Sequence, residues 1–389
     1  MSTNLTRRSM IKSLGGALAL CAAAPAKAVF GQGNGNQLPG FERGEMFRLA
    51  NTFNRTFAVP GLSVAMSKSG QFVYDRGFGM AIREKSIQVE QSSVFRIADL
   101  SKPITSVAIF SLIEQGKLNL TDKVFGPSGI LGTKYGKGPY KQYVTDVTVD
   151  HLLTHTSGGW PSDDTDPMFQ HNSWDQEKLI SWTIENLPLS NPPGQQWAYS
   201  NFGYCVLGRI IEQVSGQPYA NYVQANILAP CGISDMGIAR NKDSQRLSNE
   251  VEYYGQYSED PYKINATRLD STAGWVASPS DLVQFLNHIT GVAGAPGLLK
   301  PATIQTMTTP TPAYPQSSGA SYARGWSVRT DVQGTWWHNG SLPGTTSIMV
   351  RTNTGMCWAA LANTRTEPHN QIDSAMDQMM WNMAQAVSQ

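Results

Sequence analysis

Charged residues and cysteines are scarce in this sequence. Only 15% of the 389 residues are charged, the formal net charge is +1, and there are four cysteines. A near-neutral balance lacks the basic footprint of a nucleic-acid-binding protein, and four cysteines in this length do not make a disulfide scaffold. Low charge combined with 10% aromatic residues is the opposite of a disordered composition. We therefore expect a globular protein with a sizeable core and no nucleic-acid partner.

Long apolar runs are also scarce. An apolar stretch at 14–25 is too short to span a membrane as a mature helix; Arg7 and Arg8 precede it, and an Ala26-Lys27-Ala28 cleavage pattern follows. Residues 1–28 are therefore predicted to be an export signal of the twin-arginine type, the alternative being an ordinary secretory signal. No other run of about 18 apolar residues exists. The sequence predicts an exported protein, periplasmic or secreted, without a membrane span in its mature form.

The two ends of the chain differ in pattern from the middle. Residues 29–40 are rich in Gly, Gln, Asn and Pro and are predicted to be a linker. The predicted helices are 41–53, 99–115, 149–154, 176–185, 204–214, 280–289 and 374–386, and the predicted strands are 62–66, 72–78, 323–329, 335–338, 346–351 and 356–362. The simplest arrangement is an α/β lobe over about 41–115 and 320–387, in which both chain ends share one antiparallel sheet flanked by helices. An all-α lobe over about 116–319 is inserted between them.

Three short motifs carry the candidate chemistry. Residues 95–105 read Phe-Arg-Ile-Ala-Asp-Leu-Ser-Lys-Pro-Ile-Thr, 199–201 read Tyr-Ser-Asn, and 338–344 read His-Asn-Gly-Ser-Leu-Pro-Gly. Between the first two, residues 151–159 read His-Leu-Leu-Thr-His-Thr-Ser-Gly-Gly. Each motif alone is a weak signal, but together, in this order, they resemble the class C-type serine β-lactamase and penicillin-binding-protein family. That family includes D-aminopeptidases, esterases and transesterases.

The resemblance covers roughly residues 42–387. It implies a β-lactamase/transpeptidase-like fold, in which a cleft separates an α/β lobe with an antiparallel sheet from an inserted helical lobe. It also implies a small-molecule or peptide substrate, and the sequence carries no signal for an oligomeric state.

The first motif departs from the family pattern. The family has S-x-x-K, with an acylated Ser one helical turn before Lys. Here Lys102 matches the Lys, but Asp99 stands where the Ser is expected, and Ser101 is adjacent to Lys102 and points elsewhere. An acyl-Asp would be an anhydride, higher in energy than an amide. Opposite charges about 4 Å apart attract by roughly 4 kcal/mol at an effective dielectric of about 20, which keeps Asp99 ionised and Lys102 protonated.

Three hypotheses for Asp99 follow from the residues, and the third is an altered sequence or a covalent role that the residues do not define. In the first, Asp99 is a helix N-cap and ion-pair partner in a site that has lost the family chemistry. In the second, Asp99 is a working carboxylate that activates water or abstracts a substrate proton, with Tyr199 or Lys102 as the acid.

The other motifs imply further site residues by the resemblance. Tyr199 matches the family Tyr that acts as general base or acid. Asn201 is expected to hydrogen-bond a substrate amide. His338 matches a position where relatives carry Lys or His, and it is expected to lie on an edge strand and to hold a carboxylate or carbonyl group.

The third motif also implies backbone roles. Gly340 is expected to let a substrate backbone approach the strand. The family's oxyanion hole uses two backbone N–H groups, which correspond here to Asp99 and Ser341. His151 and His155 have the i, i+4 spacing of a zinc pair, but the H-E-x-x-H pattern is absent, so we predict neither a metal site nor a cofactor.

These expectations favour an exported, β-lactamase-related, hydrolase-like enzyme. It would act on an amide, ester or lactone, and not by the usual acyl-serine route. The alternative is a noncatalytic pseudoenzyme that binds peptide or cell-wall fragments in the same cleft.

Overall fold

The computed structural model describes residues 40–291, 296–315 and 319–388. The predicted export signal and nearly all of the predicted linker lie outside the described residues. The helices are α1 (Gly40–Thr56), α2 (Ser101–Glu114), α3 (Val149–Leu153), α4 (Gln176–Asn186), α5 (Asn201–Ser215), α6 (Tyr219–Val223), α7 (Asp270–Ala273), α8 (Pro279–Thr290), α9 (Pro301–Thr308) and α10 (His369–Ser388). The strands are β1 (Gly61–Lys68), β2 (Gln71–Ile82), β3 (Ile87–Gln88), β4 (Phe95–Arg96), β5 (Gly237–Ile238), β6 (Trp275–Ala277), β7 (Ala320–Tyr322), β8 (Ser327–Arg329), β9 (Trp336–Leu342), β10 (Thr345–Arg351) and β11 (Met356–Ala362).

Both ends of the chain contribute to one eight-stranded sheet. Its strand order is β3-β2-β1-β11-β10-β9-β8-β7. The ends meet where β1 pairs with β11 in antiparallel register, with Ala65 opposite Ala359. The predicted fold class, an antiparallel sheet from both chain ends flanked by helices, is therefore confirmed.

The central strands are buried on both faces. Every residue of β11 is buried, as expected for a strand covered by helices on each side. Trp358 and Ala360 belong to one apolar cluster, with Met376 and Met380 of α10. The alternate residues Ala359 and Leu361 belong to the other cluster, on the side where α8 packs on β1 and β11. This alternation follows from the two-residue period of a strand.

A second group of packed elements lies outside the large sheet. Helices α2, α5 and α7 pack against one another, beside a small sheet of order β4-β6-β5. Helix α8 begins with a capping box between Ser278 and Asp281 and packs on the large sheet, although it lies inside the predicted helical segment 116–319. The lobe boundaries drawn from the sequence remain a prediction.

One predicted strand is wrong in extent. The segment 323–329 is not one strand, because β7 ends at Tyr322 and β8 begins at Ser327. Gly325, between them, has a φ of +83°, and a Cβ there would lie 2.6 Å from the Cβ of Ser106. The chain therefore turns at a point where only glycine fits against α2.

The described residues contain three of the four cysteines. Cys205, Cys231 and Cys357 are buried free thiols. Among the helices described, none is long and apolar enough to cross a membrane.

Asn363 joins the two ends of the chain just after β11. Its Oδ1 accepts the N–H of Gly61 at 2.7 Å, and its Nδ2 donates to the carbonyls of Met80 and Glu252 at 3.2 and 2.9 Å. Because Asn363 is fully buried, Asn363→Ala leaves these backbone groups unpaired and is expected to lower the free energy of unfolding by about 1–3 kcal/mol. Urea denaturation measures the change. Gln371→Ala removes an exposed amide of α10 as the control, and an equal effect of both variants would contradict this role.

Candidate active site

A cleft of about 520 Å³ lies between the large sheet and the helices of the middle segment. Five of the predicted site residues line it: Asp99, Tyr199, Asn201, His338 and Ser341. Two others lie beneath its surface. Lys102 is fully buried under Asp99, and Gly340 packs behind Asp99.

The backbone before α2 brings Asp99 to the floor of the cleft. Residues Ala98–Leu100 form one 3-10 turn that leads into α2. Ala98 has a φ of +48°, a left-handed conformation that is unfavourable for a residue with a side chain. The N-cap of α2 is Leu100, and no side chain caps either the turn or the helix. The N-cap part of the first hypothesis for Asp99 is therefore wrong, whereas its ion-pair part agrees with the contact between Asp99 and Lys102.

Asp99 and Lys102 form a buried ion pair. Lys102 Nζ lies 2.5 Å from Asp99 Oδ1. It also donates to Asn201 Oδ1 at 2.6 Å and to the carbonyl of Thr272 at 3.5 Å, which matches the three N–H bonds of an ammonium. Burial opposes the ionisation of Asp99, but the ammonium beside it holds the pKa of the carboxyl below its usual value. Burial lowers the pKa of Lys102, and the Asp99 carboxylate counteracts this effect.

Two further donors complete the surroundings of the carboxylate. Tyr199 O–H donates to Asp99 Oδ1 at 3.0 Å, and Ser341 N–H donates to Asp99 Oδ2 at 3.2 Å. Burial raises the pKa of Tyr199 well above its usual value, so this phenol stays protonated. Ser341 N–H is one of the two groups expected to form an oxyanion hole. In this structure the Asp99 carboxylate already accepts its hydrogen bond.

Asn201 is held on both sides by charged groups. Its Oδ1 accepts from Lys102, and its Nδ2 donates to Asp166 Oδ2 at 2.7 Å. Asp166 is itself buried, and burial raises the pKa of its carboxyl. Asn201 thus orients Lys102, while its predicted bond to a substrate amide stays a prediction. Asp166 lies in an irregular polar loop with no periodic pattern, and sequence reasoning missed it.

A chain of hydrogen bonds reaches His338 from the helical side of the cleft. Ser200 N–H donates to His155 Nδ1 at 3.1 Å, so His155 carries its proton on Nε2. That N–H donates to Tyr322 OH at 3.1 Å, and Tyr322 O–H donates to His338 Nε2 at 3.2 Å. His338 Nδ1–H donates to the carbonyl of Asn339 at 2.6 Å. Both imidazoles are therefore neutral. The Ser200 N–H at one end and the Asn339 carbonyl at the other determine which nitrogen of each ring carries the proton.

His338 differs from its expected role in two ways. Both of its ring nitrogens are engaged, and burial lowers its pKa to about 4, so it offers no positive charge to a carboxylate near pH 7. Strand β9 is also not an edge strand along its whole length, because Trp336 and Trp337 pair with β8. The ladder with β8 ends there, and this leaves His338 at the cleft.

Gly340 packs closely against the turn that carries Asp99. A Cβ at this position would lie 2.5 Å from Ser347 Oγ and 2.8 Å from the backbone N of Asp99 and the carbonyl of Ile97. The missing side chain therefore faces the turn that carries Asp99. The expectation that Gly340 lets a substrate backbone approach the strand stays a prediction.

Aromatic side chains form one wall of the cleft. Trp197 stacks edge-on against Tyr314 with ring centroids 4.7 Å apart, and Phe169 beside them is 40% exposed. On the opposite rim, Arg365 pairs with Glu259 and approaches Ser341 Oγ at 3.4 Å. The cleft thus combines an aromatic wall with one cation, Arg365, whose charge is paired with Glu259.

Sequence reasoning also missed Tyr322, which no motif contains, and it considered His155 only as one half of a possible zinc pair. His151, the other member of the i, i+4 pair, has a different environment, because its Nδ1 accepts the N–H of Thr148 in the capping box of α3. Within the described ranges, no group of three or more His, Cys, Asp or Glu side chains is arranged to hold a metal ion.

Comparisons with known proteins agree with this geometry. The family model described as Beta-lactamase matches residues 48–377. The chain is 33% identical over 206 residues to a penicillin-binding protein of Bacillus subtilis, covering 49% of this chain and 40% of that protein. It is 26% identical over 314 residues to Protein flp of Staphylococcus aureus (strain MRSA252), covering 79% of this chain and 60% of flp. The chain thus spans about half the length of these relatives.

A solved structure of another protein has a similar fold. D-amino acid amidase from Ochrobactrum anthropi SV3, complexed with L-phenylalanine amide, superposes with a TM-score of 0.72 at 21% identity, covering 90% of this chain and 99% of that one. The chain belongs to the beta-lactamase family and has the β-lactamase/transpeptidase fold.

His338 gives the site a pH-dependent contribution to stability. An unfolded His takes up a proton near its usual pKa of about 6.5, whereas folded His338 does so only near its pKa of about 4. Between these values the unfolded state binds more protons, so the free energy of unfolding falls as the pH falls. We expect His338→Gln to reduce the slope of the free energy of unfolding against pH by an amount that corresponds to the uptake of up to about one proton on unfolding.

Urea denaturation at several pH values from 7 to 4 measures the slope. His171→Asn, which removes an exposed histidine, is the control. An unchanged slope in His338→Gln would show that His338 is already charged in the folded protein.

Proposed function

We propose that this protein is an exported hydrolase that cleaves an amide, ester or lactone with water and without an acyl-enzyme. The observation that carries the proposal is the ionised Asp99 carboxylate at the floor of the cleft, where the family motif has a serine. Acyl transfer to a carboxylate would give an anhydride, so the carboxylate acts on water. The export signal at 1–28 supports a periplasmic or secreted location.

The contacts of Asp99 suggest which residue carries out each step of the hydrolysis. Asp99 takes a proton from a water molecule in the cleft as the water attacks the substrate carbonyl. Tyr199, protonated and 3.0 Å from Asp99 Oδ1, gives a proton to the leaving group when the tetrahedral intermediate collapses, and the Asp99 carboxyl then returns its proton to Tyr199. Ser341 N–H, released as Asp99 becomes neutral, then donates a hydrogen bond to the developing oxyanion. Lys102 keeps the carboxylate ionised between turnovers.

The substrate class follows from the cleft and from the relatives. The aromatic wall formed by Phe169, Trp197 and Tyr314 suits an apolar or aromatic group next to the cleaved bond. D-amino acid amidase and penicillin-binding proteins among the relatives make small amides and peptides the first substrates to test. The octameric penicillin-binding protein homologue from Pyrococcus abyssi, with a TM-score of 0.68 at 25% identity over 82% of this chain and 73% of that one, leaves the assembly state to be measured.

One observation favours a second candidate function. Ser341 N–H donates to Asp99 Oδ2, so the resting site fills its own oxyanion position. A carboxylate that accepts bonds from Lys102, Tyr199 and Ser341, with a lowered pKa, is a weak base. A noncatalytic protein that binds peptide or cell-wall fragments in this cleft is the alternative.

Turnover by Asp99→Asn separates the two candidates. The amide keeps the size of the carboxylate but cannot take a proton, so a hydrolase should lose roughly 100-fold or more of its kcat/KM. The measurement uses panels of D-peptides, amides, esters and lactones. Asp373→Asn, which changes another carboxylate lining the cleft, is the matched control and should stay close to wild type. Binding of peptide fragments without turnover by any form would favour the binding protein.

Labelling with a fluorescent penicillin or a fluorophosphonate tests the absence of an acyl-enzyme. The wild-type protein should not react, because no serine lies above Lys102. Asp99→Ser places a hydroxyl beside Lys102 and frees Ser341 N–H, so this variant should become labelled. Gel fluorescence and mass spectrometry locate the adduct. Stoichiometric labelling of a serine in the wild-type protein would refute the proposed mechanism.

A further inference from the structure

The ion pair at the floor of the cleft exposes one partner and hides the other. The Asp99 side chain is 17% exposed and lines the cleft, whereas Lys102 is 0% exposed. Oδ1 of Asp99 accepts bonds from Lys102 and Tyr199, while Oδ2 accepts from Ser341 in the described part of the chain. Oδ2 therefore retains more lone-pair density for a reaction with a molecule in the cleft.

A carboxylate in this position is better suited to one class of electrophile than to another. Attack on an acyl carbon gives an anhydride, which is less stable than the ester or amide consumed. Attack on an alkyl carbon gives an ordinary ester, and carboxylates of Asp and Glu do form covalent intermediates of this kind in enzymes. The geometry of Asp99 thus favours alkylation over acylation.

We propose that Asp99 is also a nucleophile toward uncharged epoxides, so that the cleft hydrolyses an epoxide to a diol through a hydroxyalkyl ester of Asp99. This activity does not rest on the proposed amide, ester or lactone hydrolysis.

In the first step, Asp99 Oδ2 forms a bond to an epoxide carbon, and the bond from that carbon to the ring oxygen breaks. The ring oxygen leaves with the electron pair and takes a proton from Tyr199, which recovers one from the Lys102 ammonium. The products are a neutral hydroxyalkyl ester at Asp99 and a neutral Lys102 amine. The buried ion pair is thereby replaced by two uncharged groups, which leaves no unpaired charge in the interior.

In the second step, a water molecule attacks Cγ of the Asp99 ester, and the Lys102 amine takes a proton from it. Lys102 is suited to this role once Asp99 is esterified, because burial lowers its pKa and the Asp99 carboxylate, which counteracts burial most strongly, has lost its charge, so that the smaller raising effect of Asp166 remains. The tetrahedral intermediate expels the diol oxygen, which takes that proton from Lys102. Asp99 is left as a carboxylic acid and returns a proton to Lys102. The sum is epoxide plus water to diol.

The surroundings favour an epoxide over an alkyl halide. The site offers a transferable proton to a leaving oxygen, through Tyr199 and Lys102. A halide would need a cation, and within the described cleft lining Arg365 is paired with Glu259 and Glu367, while His338 is neutral. The aromatic wall of the cleft makes an aryl epoxide such as styrene oxide the suitable probe.

A single-turnover experiment in ¹⁸O water tests the covalent step. The wild-type protein, in excess over styrene oxide, should release a diol whose new oxygen is unlabelled, because that oxygen comes from Asp99. The ¹⁸O should appear instead in the peptide that contains Asp99, as seen by mass spectrometry. A diol labelled from solvent with unlabelled Asp99 would overturn the proposal, and so would the absence of both diol and adduct.

Variants support the isotope experiment without replacing it. Asp99→Asn should abolish diol formation, and Tyr199→Phe should slow it by roughly 100-fold. If either variant fails to fold, the wild-type isotope result still decides. The ester, amide and lactone panels are run on the same preparation. Diol formation without ester or amide turnover would overturn only the proposed hydrolysis, and the reverse result only this inference.

Discussion

The buried ion pair of Asp99 and Lys102 determines the arrangement of the other groups in the cleft. Lys102 has no exposure, so its charge depends on Asp99 at 2.5 Å and on the oxygens of Asn201 and Thr272. Asn201 is in turn oriented by the buried Asp166. Removing one partner of such a pair leaves a buried charge without compensation, which is strongly destabilising. The strained backbone at Ala98, the start of α2 and the start of α5 therefore serve to keep one carboxylate and one ammonium in contact.

Charge balance extends beyond this pair. His155 and His338 are neutral because backbone groups and Tyr322 occupy their nitrogens. Arg365 on the rim is paired with Glu259. The cleft thus presents hydrogen-bond donors and aromatic surface but little net charge, in keeping with a chain in which only 15% of residues are charged. Such a site selects ligands by shape and hydrogen bonding more than by long-range attraction.

The sequence was sufficient for the fold, for the site residues that lie in short motifs and for the Asp99–Lys102 pairing, but not for the residues and contacts outside those motifs. Motif order predicted the sheet made from both chain ends, and regular apolar periods placed most helices and strands. The residue types at 99, 102, 199 and 338 were identifiable because they lie in short motifs. Asp166 and Tyr322 have no such signal, and their roles arise only from tertiary contacts with Asn201 and with two histidines. The sequence also does not show that the open side of Gly340 faces the Asp99 backbone.

The position of Asp99 restricts the chemistry that this family fold can perform here. A transition state that builds negative charge about 4 Å from an ionised carboxylate is opposed by roughly 4 kcal/mol at an effective dielectric of about 20. Reaction is favoured only if Asp99 loses its charge at the same time, either by taking a proton from water or by forming a bond to carbon. In both cases Ser341 N–H and Tyr199 O–H are released from a carboxylate and become donors to the new oxygen species. The serine of the family motif is uncharged before attack, whereas Asp99 starts ionised and must give its charge up, and this difference separates the shared fold from the family's usual reaction.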